Sequence, residues 1–280
     1  MTDTEPAEGP PDSGTLLRTI VAREVDTAIL QPSYAVFLVV LTVVVLGIAW
    51  SGGGIRAGYV PTVVDLLTPL ELLVPLVAIA LGYRAIRNDE RRGELDVLET
   101  YPVAAWHLVV GVYLGRAIGV VLAVVVPLAL VMLPIAAYGS PPPLIYATHT
   151  GADSPWLYLR FLVLTVLFAL VLLAIAVAVS TLVTTTRTAI AAGTLTLVIL
   201  LFGLDIGIAY GFAGGYVGET SLIHSLALSP LSAFRGLVLE TAVAVASGTG
   251  PQTASPLSSV AGLSLWGLGS LFVATRTLQR

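Results

Sequence analysis

"LYLRFLVLTVLFALVLLAIAVAVSTLV", residues 157–183, contains one charged residue, Arg160. About 20 apolar residues in a helix are enough to cross the ~30 Å hydrocarbon core of a bilayer, so this segment predicts a membrane span. The whole chain has the same character. Of its 280 residues 56% are hydrophobic and 11% charged, with a mean hydropathy of +0.95, whereas soluble domains carry about 25% charged residues. This composition predicts a membrane-embedded protein.

Six apolar segments are long enough to span a bilayer. They are residues 34–50, 63–83, 108–138, 157–183, 189–212 and 257–274. The third is over-long for one span, and its prolines, Pro127 and Pro134, indicate a tilted or broken helix. We therefore predict an all-α polytopic membrane protein with six transmembrane helices. A disordered acidic tail (1–14) precedes a single transmembrane domain (15–280).

All 13 basic residues are arginines, and their placement predicts the orientation of the chain. With the N-terminus inside, ten arginines fall on or near the inner side. The outer side receives Arg56, Arg160 and Arg235. This bias predicts a multi-pass protein of the cell membrane with both termini in the cytoplasm. The long outer loop, residues 213–256, is apolar enough to lie in or re-enter the membrane as short helices.

An amphipathic pattern precedes the first span. Apolar residues recur from Leu16 to Ala28, with Arg18, Glu24 and Asp26 between them. The pattern predicts a helix that ends near Pro32 and lies on the inner membrane surface. A plain extension of the first span is the alternative.

Signatures of enzymes are weak in this sequence. His107, His149 and His224 have no second ligand at metal-site spacing, and the small residues around Ser270 are typical of helix packing rather than of a nucleophile. The chain has no lysine and hence no P-loop, so we expect no ATP hydrolysis by the chain itself. We also expect no metal or cofactor. A net charge of -4 gives no reason to expect a nucleic acid partner.

Glu71 and Asp205 are candidates for a polar path through the membrane. Each ion costs about 2.5–3.5 kcal/mol at the centre of a spanning helix, so a retained one suggests a function. We expect Glu71 near the outer end of the second span and Asp205 in the outer half of the fifth. They have no basic partner within these spans, which argues against a proton relay. The simpler interpretation is that these acids, like Asp65 and Glu240, accept hydrogen bonds from threonines or loop amides.

Three glycines, Gly111, Gly115 and Gly119, follow one another at intervals of four in the third span. Such spacing places them on one helix face and lets another helix approach closely. We predict tight packing there, either within the chain or across a dimer.

The inner loop between the second and third spans is the most charged part of the chain. Nine of the sixteen residues 84–99 are charged, and the acids and arginines are spaced so that ion pairs can form within a helix. Leu95 and Leu98 share one face, and Pro102 ends the helix. A solvated positive-inside loop would account for the arginines, but not for the acids or the apolar face. We therefore predict a short docking helix.

"NDERRGELDVLETYPVAAWHLVVGVYLG", residues 88–115, resembles the signature of ABC-2 type transporter permeases. Residues 179–193 and 228–238 are similar to two further segments of that family, and the resemblance extends over residues 22–280. It is nearest to the six-helix branch that includes the permease of nitrous-oxide-reductase maturation. The signature positions that match are Glu90, Arg91, Gly93, Leu95, Pro102, Val103, Gly111, Leu114 and Gly115. The departures are Ala104, Ala105, Val112 and Ser229.

The resemblance implies the permease subunit of an ATP-driven exporter. Two such permeases, expected to be a homodimer, would pair in the bilayer, and a separately encoded ATPase subunit that binds the ATP would dock from the cytoplasm. The helix before the first span becomes an elbow helix, and the one between helices 2 and 3 a coupling helix. The residues expected to dock the ATPase are Glu90, Arg91, Gly93, Glu94, Leu95, Leu98 and Pro102.

Two other functions stay open at this point. One is a membrane-bound hydrolase or maturation enzyme, which lacks a clustered nucleophile, base or metal set in this sequence. The other is an ion-coupled secondary transporter that uses Glu71 or Asp205.

Overall fold

The computed structural model of the chain describes residues 13–83, 85, 104–138, 153–247 and 252–279. Within these ranges the chain forms helices and no β-strand. The predicted coupling helix and most of the acidic tail lie outside the described residues. In chain order the elements are α1 (Ser13–Glu24) with a π turn (Val25–Ile29), α2 (Pro32–Gly52), α3 (Gly54–Ala57), α4 (Tyr59–Gly82), α5 (Ala105–Tyr138), α6 (Pro155–Thr181), α7 (Thr186–Val198) with a π turn (Ile199–Gly203), α8 (Leu204–Ala213), α9 (Glu219–Ser225) with a 3-10 turn (Leu226–Leu228), α10 (Pro230–Val238) with a π turn (Leu239–Val243), α11 (Ala244–Ser247) and α12 (Pro256–Leu278).

Six helices in the described part are long and apolar enough to cross a membrane. They are α2, α4, α5, α6, the joined α7 and α8, and α12. This confirms the predicted all-α polytopic fold with six spans. Each helix differs from its predicted span by only a few residues at its ends, because the ends are set by capping residues rather than by the apolar run itself.

Serine–proline pairs mark where three of the helices begin. In each pair the serine hydroxyl accepts a hydrogen bond from an amide of the first helical turn, and proline occupies the first helical position, where no amide is needed. At the C-terminal end of α2, Gly53 adopts a left-handed conformation with φ 87°, which ends that helix. The serines concerned are Ser154, Ser229 and Ser255.

The third span is one continuous helix of 34 residues, α5, which passes through Pro127 and Pro134. Of the two alternatives, a tilted or a broken helix, the break does not occur. Neighbouring helices pack along this part of α5, burying Leu128, Val131 and Ile135. Prolines are tolerated within spanning helices because such neighbours satisfy the backbone groups that proline frees. At 1.5 Å per residue α5 is about 51 Å long, more than one hydrocarbon core requires.

The helix α6 lies at the centre of the bundle. It packs against α4, α5 and α12. Of the most apolar 18-residue stretch of α6, 67% is buried inside the structure, compared with 17% for the corresponding stretch of the joined α7 and α8. The fifth span is therefore peripheral, and most of its apolar surface is free to face lipid or another subunit.

The described part of the loop predicted to be outer, residues 213–256, contains short helices, of which α10 is the most buried. Phe234 of α10 stacks on Phe168, near the middle of α6, with ring centroids 4.5 Å apart. Trp266 of α12 donates its indole N–H to the carbonyl of Leu228, just before α10, at 2.9 Å. The loop thus inserts between the spans, which places its charged residues beside theirs.

Candidate functional site

Two groups of polar residues lie at different depths of the bundle, and each contains a buried glutamate. We call the end where α4 ends and α5 begins the coupling end, after the coupling helix predicted between them, and the end where α4 begins the outer end, after the predicted orientation. Both groups include a residue of α4. The coupling-end cluster consists of Glu24, Arg116 and the carbonyl of Leu81, and the outer cluster of Glu71, Asp205, Ser232 and Arg235.

The coupling-end cluster joins three helices through one guanidinium. Arg116 on α5 donates its Nε–H to Oε2 of Glu24 on α1 at 2.6 Å, and its Nη1–H to the carbonyl of Leu81, in the last turn of α4, at 2.6 Å. Glu24 is 3% exposed and the side chain of Arg116 is 12% exposed. A charge buried this deeply is stable only when paired and hydrogen-bonded, so the three groups depend on one another.

Glu24 was expected on the polar face of the helix before the first span, and this expectation was wrong. The buried face of α1 carries Glu24 together with Ile20, and it packs against α5. The physical reason is Arg116, a charge inside an apolar span that requires an acid. Arg116 was the signal in the sequence, since an intramembrane arginine without a local partner must find one elsewhere in the fold.

The three glycines of α5 lie against α1 and its π turn. A β-carbon on Gly111 would lie 2.7 Å from Cγ2 of Ile20, and one on Gly115 would lie 2.4 Å from Cβ of Glu24. A β-carbon on Gly119 would lie 3.2 Å from Cγ1 of Ile29. The close approach is therefore within the chain.

The π turn of α1 keeps the two helices in register. The contacts advance from Ile20 to Glu24 by four residues and from Glu24 to Ile29 by five, while the glycines advance by four each time. A π turn holds one extra residue, so Val25–Ile29 absorbs that difference. Tyr34 completes the contact by donating its hydroxyl to the carbonyl of Gly119 at 2.5 Å.

The outer cluster is built around a bidentate ion pair between α4 and α10. Arg235 donates Nε–H to Oε1 of Glu71 at 2.6 Å, and Nη2–H to Oε2 of the same carboxylate. Glu71 is 4% exposed, whereas the side chain of Arg235 is 46% exposed. Asp205 on α8 accepts a hydrogen bond from the hydroxyl of Ser232 at 2.9 Å. The helix α10 therefore links α4 to the fifth span.

The expectation that Glu71 lies near the outer end of the second span was wrong, and its basic partner lies outside the spans. Glu71 is the thirteenth of the 24 residues of α4 and lies at its middle, because α4 begins at Tyr59 rather than at residue 63. It also has a basic partner, Arg235, which the outer loop carries into the bundle 164 residues further along the chain. The hydrogen bonds to Glu71 are the main cause that raises the pKa of the Arg235 guanidinium. Burial lowers this pKa, but the negative charges of Glu71 and Asp205 raise it further.

The remaining acids of this half act as caps, in agreement with the simpler interpretation. Asp65 accepts a hydrogen bond from the amide of Gly54 at 2.8 Å. Glu240 accepts from the amide and hydroxyl of Thr253 and from the amide of Ala254. Burial alone would raise the pKa of Glu240, but these hydrogen bonds outweigh it and lower the pKa.

The histidines do not form a metal centre in the described part of the chain. His107 is buried and stacks on Trp106, while Nδ1 of His224 lies 2.8 Å from the hydroxyl of Ser258. No group of three or more His, Asp or Glu that could hold a metal occurs among the described residues. His149 lies outside them.

The residues predicted to dock an ATPase also lie outside the described residues, so their role stays a prediction. They are Glu90, Arg91, Gly93, Glu94, Leu95, Leu98 and Pro102. The structure describes what flanks them. On one side is the last turn of α4, whose Leu81 carbonyl is bound by Arg116, and on the other is the start of α5, eleven residues before Arg116.

Comparison with known proteins identifies the family. The family described as ABC-2 family transporter protein matches residues 18–280. The chain belongs to the ABC-2 transporter family. Membership of the ABC-2 family, together with the six apolar helices, makes the chain a multi-pass membrane protein.

Two curated relatives are similar to part of the chain. One is the probable ABC transporter permease protein NosY of Pseudomonas aeruginosa, 37% identical over 97 residues, which are 33% of this chain and 35% of that protein. The other is the probable ABC transporter permease protein NosY of Stutzerimonas stutzeri, 32% identical over 99 residues, or 34% of this chain and 36% of that protein. The aligned part thus spans about a third of the length of each relative.

Proposed function

We propose that this chain is the transmembrane permease subunit of an ATP-driven exporter. The observation that carries the proposal is the ABC-2 family match over residues 18–280. The partial similarity to two proteins named as probable ABC transporter permeases supports it. The alternatives, a membrane-bound hydrolase and an ion-coupled secondary transporter, are favoured neither by the family nor by either cluster.

The subunit obtains its energy from a separate ATPase. Its own sequence has no lysine, which a P-loop requires, so ATP is bound and hydrolysed by the partner. The segment 87–103 docks in a groove of that ATPase at the cytoplasmic surface, with Leu95 and Leu98 supplying the buried contact and the charged residues setting the register. This places both chain termini in the cytoplasm of a cell whose plasma membrane holds the transporter.

The helix α4 transmits the movement of the docking segment to the outer cluster. Its last turn is tied to α1 and α5 through Arg116, so these helices move with the docking segment as one body. Ten residues earlier, about 15 Å along the helix axis, Glu71 holds Arg235 of α10. A displacement of α4 therefore moves Glu71 relative to Arg235, whose side chain is half exposed, and this ion pair opens and re-forms during the transport cycle.

Two copies of the chain pair through the fifth span. The observation in support is the exposed apolar face of α7 and α8, which includes Phe202, Ile206 and Tyr210. Gly207 lies on this span, and a β-carbon there would meet nothing within 4 Å among the described residues. Since the chain has no cysteine, a single Gly207→Cys variant tests the pairing by symmetric cross-linking, with Val39→Cys on α2 as the control.

The ATPase role is tested by replacing one docking residue. The Leu95→Asp variant, co-expressed with the partner ATPase, is expected to lose stimulation of ATP hydrolysis while its spans still fold. The matched control is Leu257→Asp, which adds the same charge at the outer end of α12, where Leu257 is 86% exposed. Normal stimulation by Leu95→Asp would contradict docking through this segment.

A second experiment separates the alternatives. Substrate movement in proteoliposomes that contain the ATPase and ATP is expected to stop when ATP is omitted. Movement driven by an ion gradient without any ATPase would instead identify a secondary transporter.

A further inference from the structure

An open cleft lies on the lipid-facing side of the first turns of α6. It has a volume of about 540 Å³, within the range of small-molecule pockets. The residues that line it are Trp156, Leu159, Arg160, Val163, Leu164 and Thr241. All but two of these side chains are apolar or aromatic, and the single charge among them is positive.

The guanidinium of Arg160 is held in place but not neutralised. Its Nη1 donates to the carbonyl of Thr241, in the π turn that follows α10, at 3.1 Å. Among the described residues no carboxylate lies within the 4.0 Å of an ion pair with Arg160. A guanidinium has five N–H donors, and within the described ranges one of those of Arg160 is engaged, which leaves the others to a ligand.

The acids nearest in sequence to Arg160 and to its partner Thr241 bind other groups. The carboxylate of Glu240, next to Thr241, accepts its hydrogen bonds from Thr253 and Ala254. The carboxylate of Asp153, just before α6, accepts the amides of Tyr59 and Val60 at 2.9 and 2.8 Å. The cleft is therefore positive on its polar side.

The position of Arg160 along α6 places it near the membrane interface. It lies five residues after Pro155, the first residue of α6, which is about 7.5 Å of helix. Trp156, one turn earlier, is 64% exposed, as is typical of the aromatic belts at bilayer surfaces. The headgroup phosphates of phospholipids occupy that depth, and guanidinium groups bind phosphate by charge-assisted hydrogen bonds.

We propose that this cleft binds one phospholipid from the bilayer leaflet at the outer end of the protein. Arg160 donates hydrogen bonds to the lipid phosphate, Trp156 packs beside the headgroup region, and an acyl chain follows Leu159, Val163 and Leu164 down α6. The bound lipid holds α6 against the π turn at Thr241, which continues directly from α10. The lipid thereby stabilises the segment that carries Arg235. The proposal rests on the chain being a membrane protein, and depends neither on the ATPase nor on transport.

The test measures lipid retention by native mass spectrometry. The full chain is delipidated in detergent and supplied with palmitoyl-oleoyl phosphatidylglycerol, or with the diacylglycerol of the same chains. We expect one phosphatidylglycerol per chain to be retained and to raise the thermal unfolding temperature. Arg160→Gln should weaken retention roughly tenfold, because charge-assisted hydrogen bonds to the phosphate are lost. Val163→Trp, which fills the cleft, should weaken it similarly.

Two matched controls are available in the chain. Arg56 is another exposed arginine beside a tryptophan, with its Cζ 5.5 Å from the ring of Trp50, so Arg56→Gln removes the same charge without touching the cleft. Val39→Trp adds the same bulk on the lipid-facing side of α2. Both should retain phosphatidylglycerol as the wild type does, and without lipid all four variants should unfold near the wild-type temperature.

Three results would overturn the proposal. One is equal retention by Arg160→Gln and Arg56→Gln. Another is retention of diacylglycerol as strong as that of phosphatidylglycerol, which would show that the phosphate is not recognised. The third is displacement of the lipid by inorganic phosphate, which would identify an ion site rather than a lipid site.

Discussion

The coupling-end cluster and the outer cluster are both centred on an arginine–glutamate pair, but they differ in how deeply the arginine is buried. Arg116 is 12% exposed and bound to two helices besides its own, whereas Arg235 is 46% exposed and bound to one glutamate. Opening either pair leaves a buried glutamate without its cation, but Arg116 would be left buried as well, whereas Arg235 is already half exposed. The difference suggests a brace at one end of α4 and a releasable contact at its middle.

Removing the same charge from each pair tests this comparison most strongly. Glu24→Gln should lower the free energy of unfolding by about 3–5 kcal/mol, because Arg116 is left as an uncompensated buried charge. Glu71→Gln should lower it by only about 1 kcal/mol, since Arg235 is half exposed to solvent. Denaturant unfolding in detergent measures both, with Asp26→Asn, an exposed acid next to α1, as the control. Equal losses for the two glutamates would refute the distinction.

The close packing of α1 on α5 at Gly115 gives the next largest expected loss of stability. Gly115→Ala places a β-carbon 2.4 Å from Cβ of Glu24 and should destabilise the protein by about 1–3 kcal/mol through overpacking. Gly47→Ala is the matched control within a spanning helix, because a β-carbon there meets nothing within 4 Å among the described residues. If both alanines are equally tolerated, α1 does not pack on α5 as described.

The link from α10 to the fifth span should be weaker still. Ser232→Ala removes the hydroxyl that donates to Asp205 at 2.9 Å, and should cost about 1 kcal/mol of unfolding free energy. Ser51→Ala, whose hydroxyl donates only to the carbonyl of Ile48 in its own helix, should change the same measurement less. A larger loss at Ser51 would mean that the outer cluster does not hold α8.

The smallest effect concerns pH and the cap of the last span. Because the pKa of Glu240 in the folded protein is below its ordinary value of 4.5, its contribution to stability is complete above pH 4.5 and is lost as pH falls through the lowered pKa. Glu240→Gln should therefore flatten the decline of the unfolding temperature below pH 4.5, with little change at neutral pH. An unchanged acid profile would exclude this cap as its cause.

The number and order of the spans could be predicted because each depends on a local property, the length of an apolar run. The helix ends could be predicted less well. The predicted start of the fourth span at residue 157 differs from Pro155 because the Ser154 cap, not hydropathy, fixes it. The apolar composition of residues 213–256 correctly indicated short helices, but not which spans they contact.

The two ion pairs could not be predicted from local pattern. Glu24 and Arg116 are 92 residues apart, and Glu71 and Arg235 are 164 residues apart. The sequence shows only that each charge stands in an apolar context and must find a partner. Which acid meets which arginine depends on how the helices pack, and on the entry of α10 between them.

The central claim is that ATP-driven movement leaves the coupling end rigid and opens the outer cluster. Because the chain has no cysteine, spin labels can be placed at Thr19 and Leu114 for the coupling end, and at Leu72 and Leu228 for the outer cluster, all on exposed side chains. Doubly labelled chains are diluted with unlabelled chains, assembled with the ATPase, and measured by double electron–electron resonance. On trapping with ATP and vanadate, the account predicts a changed distance for Leu72–Leu228 and an unchanged one for Thr19–Leu114. A changed distance at the coupling end with a fixed outer distance would contradict it.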